Sequence, residues 1–189
     1  MRIIDDIINT RRAIYPKQFT GKKISKKTIL NILKNGNMAP SHKLTQPWFF
    51  KIFYSSSKEN LANEMIKKYK ESSLELKSND IKAKKIFDKC KLSEYIIAIC
   101  MRRDKSNSIP EWEEIASTAM AVQNMWLTCV SYEIGCYWSS PKYANELSEF
   151  LNLDENERCL GFFYLGKFNH KDQKSKKRNN IESKIEWFK

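Results

Sequence analysis

Two short stretches of this chain carry residues whose types and spacing could do chemistry. The first is the adjacent pair Arg11 and Arg12. Neighbouring guanidiniums present several fixed N–H donors, a set suited to a bidentate grip on phosphate. Taken alone, the pair equally suits the last carbonyls and the negative dipole end of a helix that stops there. The second is Ala39-Pro40-Ser41-His42-Lys43-Leu44-Thr45-Gln46-Pro47-Trp48. Its two prolines stiffen a segment bearing a histidine, a lysine and an amide, all able to meet a polar ring edge. A lone histidine in such a loop is, on its own, more readily a surface or interface residue than a ligand.

The rest of the composition removes competing chemistries. Five glycines occur, none in a G-x-G-x-x-G or Walker A arrangement, so any phosphate must be held mainly by side chains. Two histidines, His42 and His170, are too few for a histidine-rich metal site, and no nucleophile-elbow motif supports a hydrolytic triad. The five cysteines are odd in number, form no C-x-x-C pair and sit mostly in apolar stretches, as reduced core thiols do in a cytoplasmic protein. The opening MRIIDDIINT has no export-signal pattern. From Ile115 to Tyr132 no residue is charged, but Ser117, Thr118, Gln123, Asn124, Thr128 and Ser131 make the stretch too polar for lipid, and it reads as a buried helix. The net charge of +12 favours anionic ligands and permits nucleic-acid binding, although most of the excess is scattered lysine of the kind that forms a solvated surface.

These residues need elements to hold them. Ile3, Ile4, Ile7 and Ile8 recur at helical spacing with Asp5 and Asp6 at the positive dipole end, predicting a helix to about Arg11 or Arg12. Ser25 caps a second helix carrying Ile29, Ile32 and Leu33 inward, with Gly36 as its closing residue. Trp48 to Tyr54 and Tyr95 to Met101 read as buried strands, with two basic-faced helices between them and a polar linker near Ser78 to Asp80. After Pro110 a long helix places Trp112, Ile115, Ala116, Ala119, Val122, Trp126, Cys129 and Val130 on one apolar face. Its other face is also low in charge, which suggests protein on two sides and hence a dimer. Gly135 ends it before a third strand at Cys136 to Trp138, a short helix follows Pro141, and Cys159 to Leu165 is a fourth strand. The tail from Lys167 to Asn180 is polar and basic, and Ile181 to Phe188 could pair as a strand.

With these elements in order, R-R-A-I-Y-P followed by A-P-S-H-K-L-T-Q-P-W resembles the N-terminal signature of the nitroreductase family. The later E-W-E-E-I-A-S-T-A-M-A-V-Q-N-M, E-I-G-C-Y-W-S-S and G-F-F-Y-L-G blocks are similar to those of its small branch with a histidine in the A-P-x-H loop. The resemblance runs in order along nearly the whole chain. It implies an α+β nitroreductase-like fold in one domain over residues 1–189: a central mixed or antiparallel sheet flanked by helices, its C-terminal segment pairing with a partner subunit. It implies a homodimer with FMN at the subunit interface.

By that resemblance Arg11 and Arg12 bind the FMN phosphate, and Ala13 stands where a serine is usual. Met38 contacts FMN across the interface, and His42 meets the ring in place of an asparagine whose position here is Leu44. Trp138, Ser139 and Ser140 form a flavin-contacting segment, with Ser139 replacing an arginine, and Lys176 or Arg178 of the tail reaches the phosphate. The implied activity is hydride transfer from NADH or NADPH through FMN to a nitroaromatic, quinone or similar electron-poor acceptor, in ping-pong order and with no catalytic acid or base. Two other readings remain: a nucleic-acid-binding protein using Lys171 to Arg178, ranked low because that run has no stacking aromatics, and a flavin-binding sensor without turnover.

Overall fold

A computed structural model of the chain describes residues 4–72, 79–169 and 178–189. Its centre is a four-stranded sheet of β1 (Trp48–Tyr54), β2 (Tyr95–Arg102), β3 (Ile134–Ser139) and β4 (Glu157–Lys167), in the order β1-β2-β4-β3, every neighbour antiparallel. The strands expected from their β-branched and aromatic content are therefore present, and the sheet is antiparallel throughout.

Strand alternation explains how an almost unbroken apolar run such as β2 is used. Ile96, Ala98 and Cys100 face one side with Phe162 and Tyr164, against α3 (Ser57–Ser72), α4 (Asn79–Leu92) and a 3-10 segment at Lys142–Leu147. Tyr95, Ile97 and Ile99 face the other side with Phe163 and Leu165, against α2 (Lys26–Gly36) and α5 (Glu111–Ser131). Helices cover both faces, so both sets are buried, each large side chain contributing about 1.5–3 kcal/mol by leaving water. All five cysteines are buried and free.

Ser25 caps α2 as expected, its hydroxyl accepting from the Thr28 backbone N–H at 3.1 Å. Three sequence expectations are corrected. Gly36 is not a left-handed closing residue; it lies in the last turn of α2, where a Cβ would stand 2.6 Å from Cγ of Met125, and its smallness lets α2 close on α5. Gly135 does not end α5 either. The left-handed turn residue is Glu133 (φ 55°), while Gly135 sits inside β3 because Ile14 presses on it, 2.8 Å from where a Cβ would be.

The third correction concerns the face of α5. The buried stripe is Glu114, Ser117, Thr118, Ala121, Val122, Met125, Thr128 and Cys129. Trp112 and Ile115, expected inward, are exposed, at 68% and 37%. Small and hydroxyl-bearing residues allow close approach to α2 and the sheet, so packing set the phase one position away from the most hydrophobic stripe. Thr118 and Thr128 satisfy their hydroxyls on the carbonyls of Glu114 and Asn124.

α1 (Ile4–Thr10) buries none of its residues within the chain, and Ile3 lies outside the described residues, as do Ser78 of the linker and Lys171 to Lys177 of the tail. At the C-terminus Ile181–Lys184 is a 3-10 turn and Ile185 to Lys189 pairs with no strand of its own chain. Among the described residues no helix is long and apolar enough to cross a membrane.

Gly161 of β4 is, with Gly166, one of the tightest points of the sheet. At φ +131° its missing side chain leaves room for the Ser139 carbonyl, which would lie 2.4 Å from a Cβ. Gly161→Ala is expected to cost about 2–4 kcal/mol, the sum of backbone strain and overpacking, in urea unfolding. An unchanged midpoint would contradict that packing.

Candidate functional site

α1 ends where the backbone N–H of Arg11 reaches the Ile7 carbonyl at 3.0 Å, and the next residues are tied sideways to the body of the protein. The indole N–H of Trp126 on α5 donates to the Arg12 carbonyl at 3.2 Å, and the Ile14 N–H donates to the Cys136 carbonyl of β3 at 3.1 Å. The Arg11 guanidinium lies over the Trp126 ring, 4.9 Å from its centroid. One Nη of Arg12 closes the carbonyls of Asn9 and Arg11, at 2.7 and 2.8 Å. The helix-capping role open to the pair thus falls to Arg12 alone.

Arg178, returning from the far end of the chain, adds a third cation. Burial lowers the Arg11 pKa most, followed by repulsion from Arg178 and then Arg12. Among the described residues no carboxylate forms an ion pair with any of the three. Lys176, the alternative tail residue, lies outside the described residues.

Trp138, Ser139 and Ser140 border the same region. Trp126 packs edge-on against Phe163 at 5.5 Å, and Phe163 is the residue opposite Trp138 in the β3–β4 ladder. The Trp138 indole N–H donates to the Leu160 carbonyl at 3.2 Å, while Ser140 is exposed at the strand's end. Ala13 is half-buried between the arginines and β3.

Met38 and His42 are elsewhere. Met38 is 78% exposed beyond the end of α2. His42 opens a 3-10 turn, His42–Leu44, and its Nδ1 is 2.6 Å from a carboxylate oxygen of Glu113 in the first turn of α5. Glu113 and Trp126 are thirteen positions apart, about 20 Å along a helix at ~1.5 Å per residue. One chain therefore holds His42 and the arginines apart, toward opposite ends of α5.

The loop between Pro40 and Trp48 is strained and well restrained. Lys43, Leu44 and Gln46 have left-handed backbones, with φ of 49°, 56° and 45°. Each costs about 1 kcal/mol or more, which surrounding bonds must offset. Ser41 Oγ accepts from the Gln46 N–H at 3.1 Å, Thr45 donates to the His42 carbonyl at 3.2 Å, and the Trp48 indole donates to Asn37 at 3.0 Å. Leu44 is left 80% exposed at the tip.

Behind this loop, the turn between β2 and α5 is fastened by charge. The buried Glu114 carboxylate accepts from Arg103 at 2.5 Å and from the Asp104 backbone N–H at 2.7 Å. Arg102 pairs with Glu157 at 2.5 Å and Arg158 pairs with Glu111. Hydrogen bonds from the Ser106 and Ser108 hydroxyls hold the Asp104 carboxyl down at about 2. A cleft of about 250 Å³ lies between loop and turn, lined by Thr45, Gln46, Trp48, Arg102 and Lys105 among others. The network fixes the end of α5 from which Glu113 reaches His42. Glu113 and Trp126 are the two site residues that reading residue types in isolation overlooked, since an acidic first turn and a tryptophan on a helix both have routine structural explanations.

The fold is α+β, a helix-flanked antiparallel sheet, and it carries a side-chain cation cluster and a stiff histidine loop. The nitroreductase family's sequence profile matches residues 8–167, and the chain belongs to that family. It is 27% identical over 142 residues to YdjA of Escherichia coli (strain K12), named as a candidate NAD(P)H nitroreductase, covering 72% of this chain and 73% of that protein. The crystal structure of a nitroreductase-like family protein from Bacillus cereus superposes with a TM-score of 0.86 at 24% identity, covering 100% of this chain and 97% of that one. A nitroreductase with bound FMN from Bacteroides fragilis NCTC 9343 superposes with a TM-score of 0.75 at 19% identity, covering 100% of both chains. These last two likenesses establish the nitroreductase-like fold.

Two outcomes check the fastening of α5. Glu114→Ala should destabilise the protein by about 2–3 kcal/mol in chemical denaturation, the cost of breaking a buried pair reduced for the partial exposure of Arg103; no change would mean the pair is dispensable. The depressed Asp104 carboxyl stabilises the turn at ordinary pH and loses that contribution only as pH falls toward about 2. In Ser108→Ala its NMR midpoint should rise toward the usual carboxylate range, and an unmoved midpoint would remove the serine as its cause.

Proposed function

We propose that this protein is an FMN-dependent oxidoreductase of the nitroreductase type, with the FMN phosphate held by Arg11, Arg12 and Arg178. The observation that carries the reading is that Arg11, held over the Trp126 ring, feels the charges of Arg178 and Arg12, with no described carboxylate paired to any of the three. A phosphate dianion would supply the missing charge with charge-assisted hydrogen bonds. Ala13 offers backbone only at a position where a hydroxyl is usual, so the guanidiniums carry more of the grip. Trp138, Ser139 and Ser140 would border the ring.

The bound flavin would accept hydride from NADH or NADPH and pass it, in a ping-pong sequence, to a nitroaromatic, quinone or similar electron-poor acceptor. The name of YdjA and the FMN in the Bacteroides fragilis structure support this reading of cofactor and reductant. The chain's own task is to orient both substrates over one ring face and to surround that ring with hydrogen-bonding groups.

The site is read as shared by two subunits. His42 bonds Glu113, about 20 Å along α5 from Trp126 at the arginine end, so an antiparallel meeting of two α5 helices would set the partner's His42, with the exposed Met38 of its flanking loop, beside Arg11 and Arg12. Exposed apolar residues support such a contact: Ile4 and Ile8 on α1, and Trp112, Ile115 and Met120 on α5. Among the described residues no strand pairs with the outer edge of β1, and the tail carries the exposed Trp187 and Phe188, so the C-terminal segment is read as crossing to the partner. The whole chain, residues 1–189, is read as one domain, and its five buried free thiols suit the cytoplasm.

Purified protein reconstituted with FMN should be yellow, and anaerobic NADH or NADPH should bleach it, with an acceptor restoring the colour. Failure to take up FMN would end the proposal, and uptake without bleaching would make the protein a flavin-binding sensor. Arg11→Ala and Arg12→Ala should each weaken FMN binding by about 1.5–3 kcal/mol. Unchanged affinity would return both arginines to helix capping.

A further inference from the structure

The contact between His42 Nδ1 and Glu113 is short, at 2.6 Å, and neither the strand nor the loop needs it for its own hydrogen bonds. A carboxylate has no hydrogen to give, so in this 2.6 Å contact the hydrogen sits on Nδ1. The other ring nitrogen, Nε2, points away from that partner. The ring is about half exposed while Glu113 is three-quarters covered, so the buried member holds the exposed one. Glu113 in turn is held by its place in α5, next to Glu114, whose two bonds to Arg103 and Asp104 fix that end of the helix.

We propose that Glu113 is a positioning residue that sets the tautomer and orientation of His42, so that Nε2 is the nitrogen offered to the bound cofactor. In the neutral imidazole this makes Nε2 an acceptor. The pyrimidine edge of a flavin presents an imide N–H between two carbonyls, and an acceptor nitrogen matches the N–H. A histidine free to choose would favour the opposite tautomer, with its hydrogen on Nε2, and would meet that N–H with another donor. The strained loop supplies the second half of the device. With Lys43, Leu44 and Gln46 all left-handed, the backbone that follows His42 has few alternatives, and Glu113 removes the remaining freedom of the ring. The part of this inference that concerns cofactor binding rests on the flavin reading above; the tautomer itself does not.

Histidine-selective ¹⁵N labelling of the full chain tests it directly, because the sequence has only two histidines and His170→Gln identifies the other. At pH 8, two-bond ¹⁵N–¹H spectra without FMN should show His42 with hydrogen on Nδ1, and Glu113→Ala should shift it toward hydrogen on Nε2. Glu113→Gln keeps the shape of the side chain and can accept or donate; it should give a mixture, and it serves if the alanine variant does not fold. A wild-type ring protonated on Nε2 alone, or spectra identical in wild type and variants, would overturn the proposal. In FMN titrations Glu113→Ala should weaken binding about tenfold, and should add nothing further in a His42→Ala background. An equal loss in both backgrounds would also overturn the positioning role. If wild type binds no FMN, the flavin reading falls while the tautomer result stands by itself.

Discussion

Like charges gathered at one place, with no ion-paired carboxylate among the described residues, are the constraint on which the proposed site depends. Two unit charges 4 Å apart repel by about 1 kcal/mol in bulk water and about 4 kcal/mol near a protein surface. Arg11 feels both Arg178 and Arg12, and its burial removes water that would otherwise screen them. The fold tolerates this because Arg11 rests on Trp126 and Arg12 gives one nitrogen to backbone carbonyls. An anion placed among them would offset this repulsion, which is the physical basis for proposing the cluster as a binding site.

α5 is the rod on which that site is laid out. Its buried stripe of small and hydroxyl residues draws it against α2 and the sheet, with Gly36 permitting the approach. Its N-terminal turn carries Glu113 and Glu114, one directed at His42 and the other locked to Arg103 and Asp104. Thirteen residues later Trp126 supports the arginines. The most hydrophobic residues of its first turns, Trp112 and Ile115, are left outside, as is α1. Exposed apolar residues on a helix that has already satisfied its own core are what the proposed dimer would cover.

Much of the layout was legible from residue type and spacing. Pro40 and Pro47 bounded the loop, Ser25 marked a helix start, and the aromatic runs at Trp48 and Cys159 marked strands, because caps, breakers and period-2 patterns are local signals. The arginine pair was legible as a cationic pair at the end of a helix, and its phosphate role came from the family resemblance. Less legible was the phase of α5, where hydrophobicity pointed to Trp112 and Ile115 but close packing selected Ser117, Thr118 and Ala121. Gly36 and Gly135 looked like chain reversals and turned out to be contact points, since sequence does not show what stands opposite a missing side chain.

The sequence by itself determined the kinds of element, their order, the cationic pair and the stiff histidine loop, all consequences of short-range sterics and hydrogen bonding. Only the tertiary structure decided that Arg178 joins the pair from the far end of the chain, and that Glu113 rather than solvent meets His42. It alone showed that one chain holds His42 and the arginines apart, toward opposite ends of one helix. Those outcomes depend on which surfaces lie against one another across long sequence separations, and that is settled by packing the whole core.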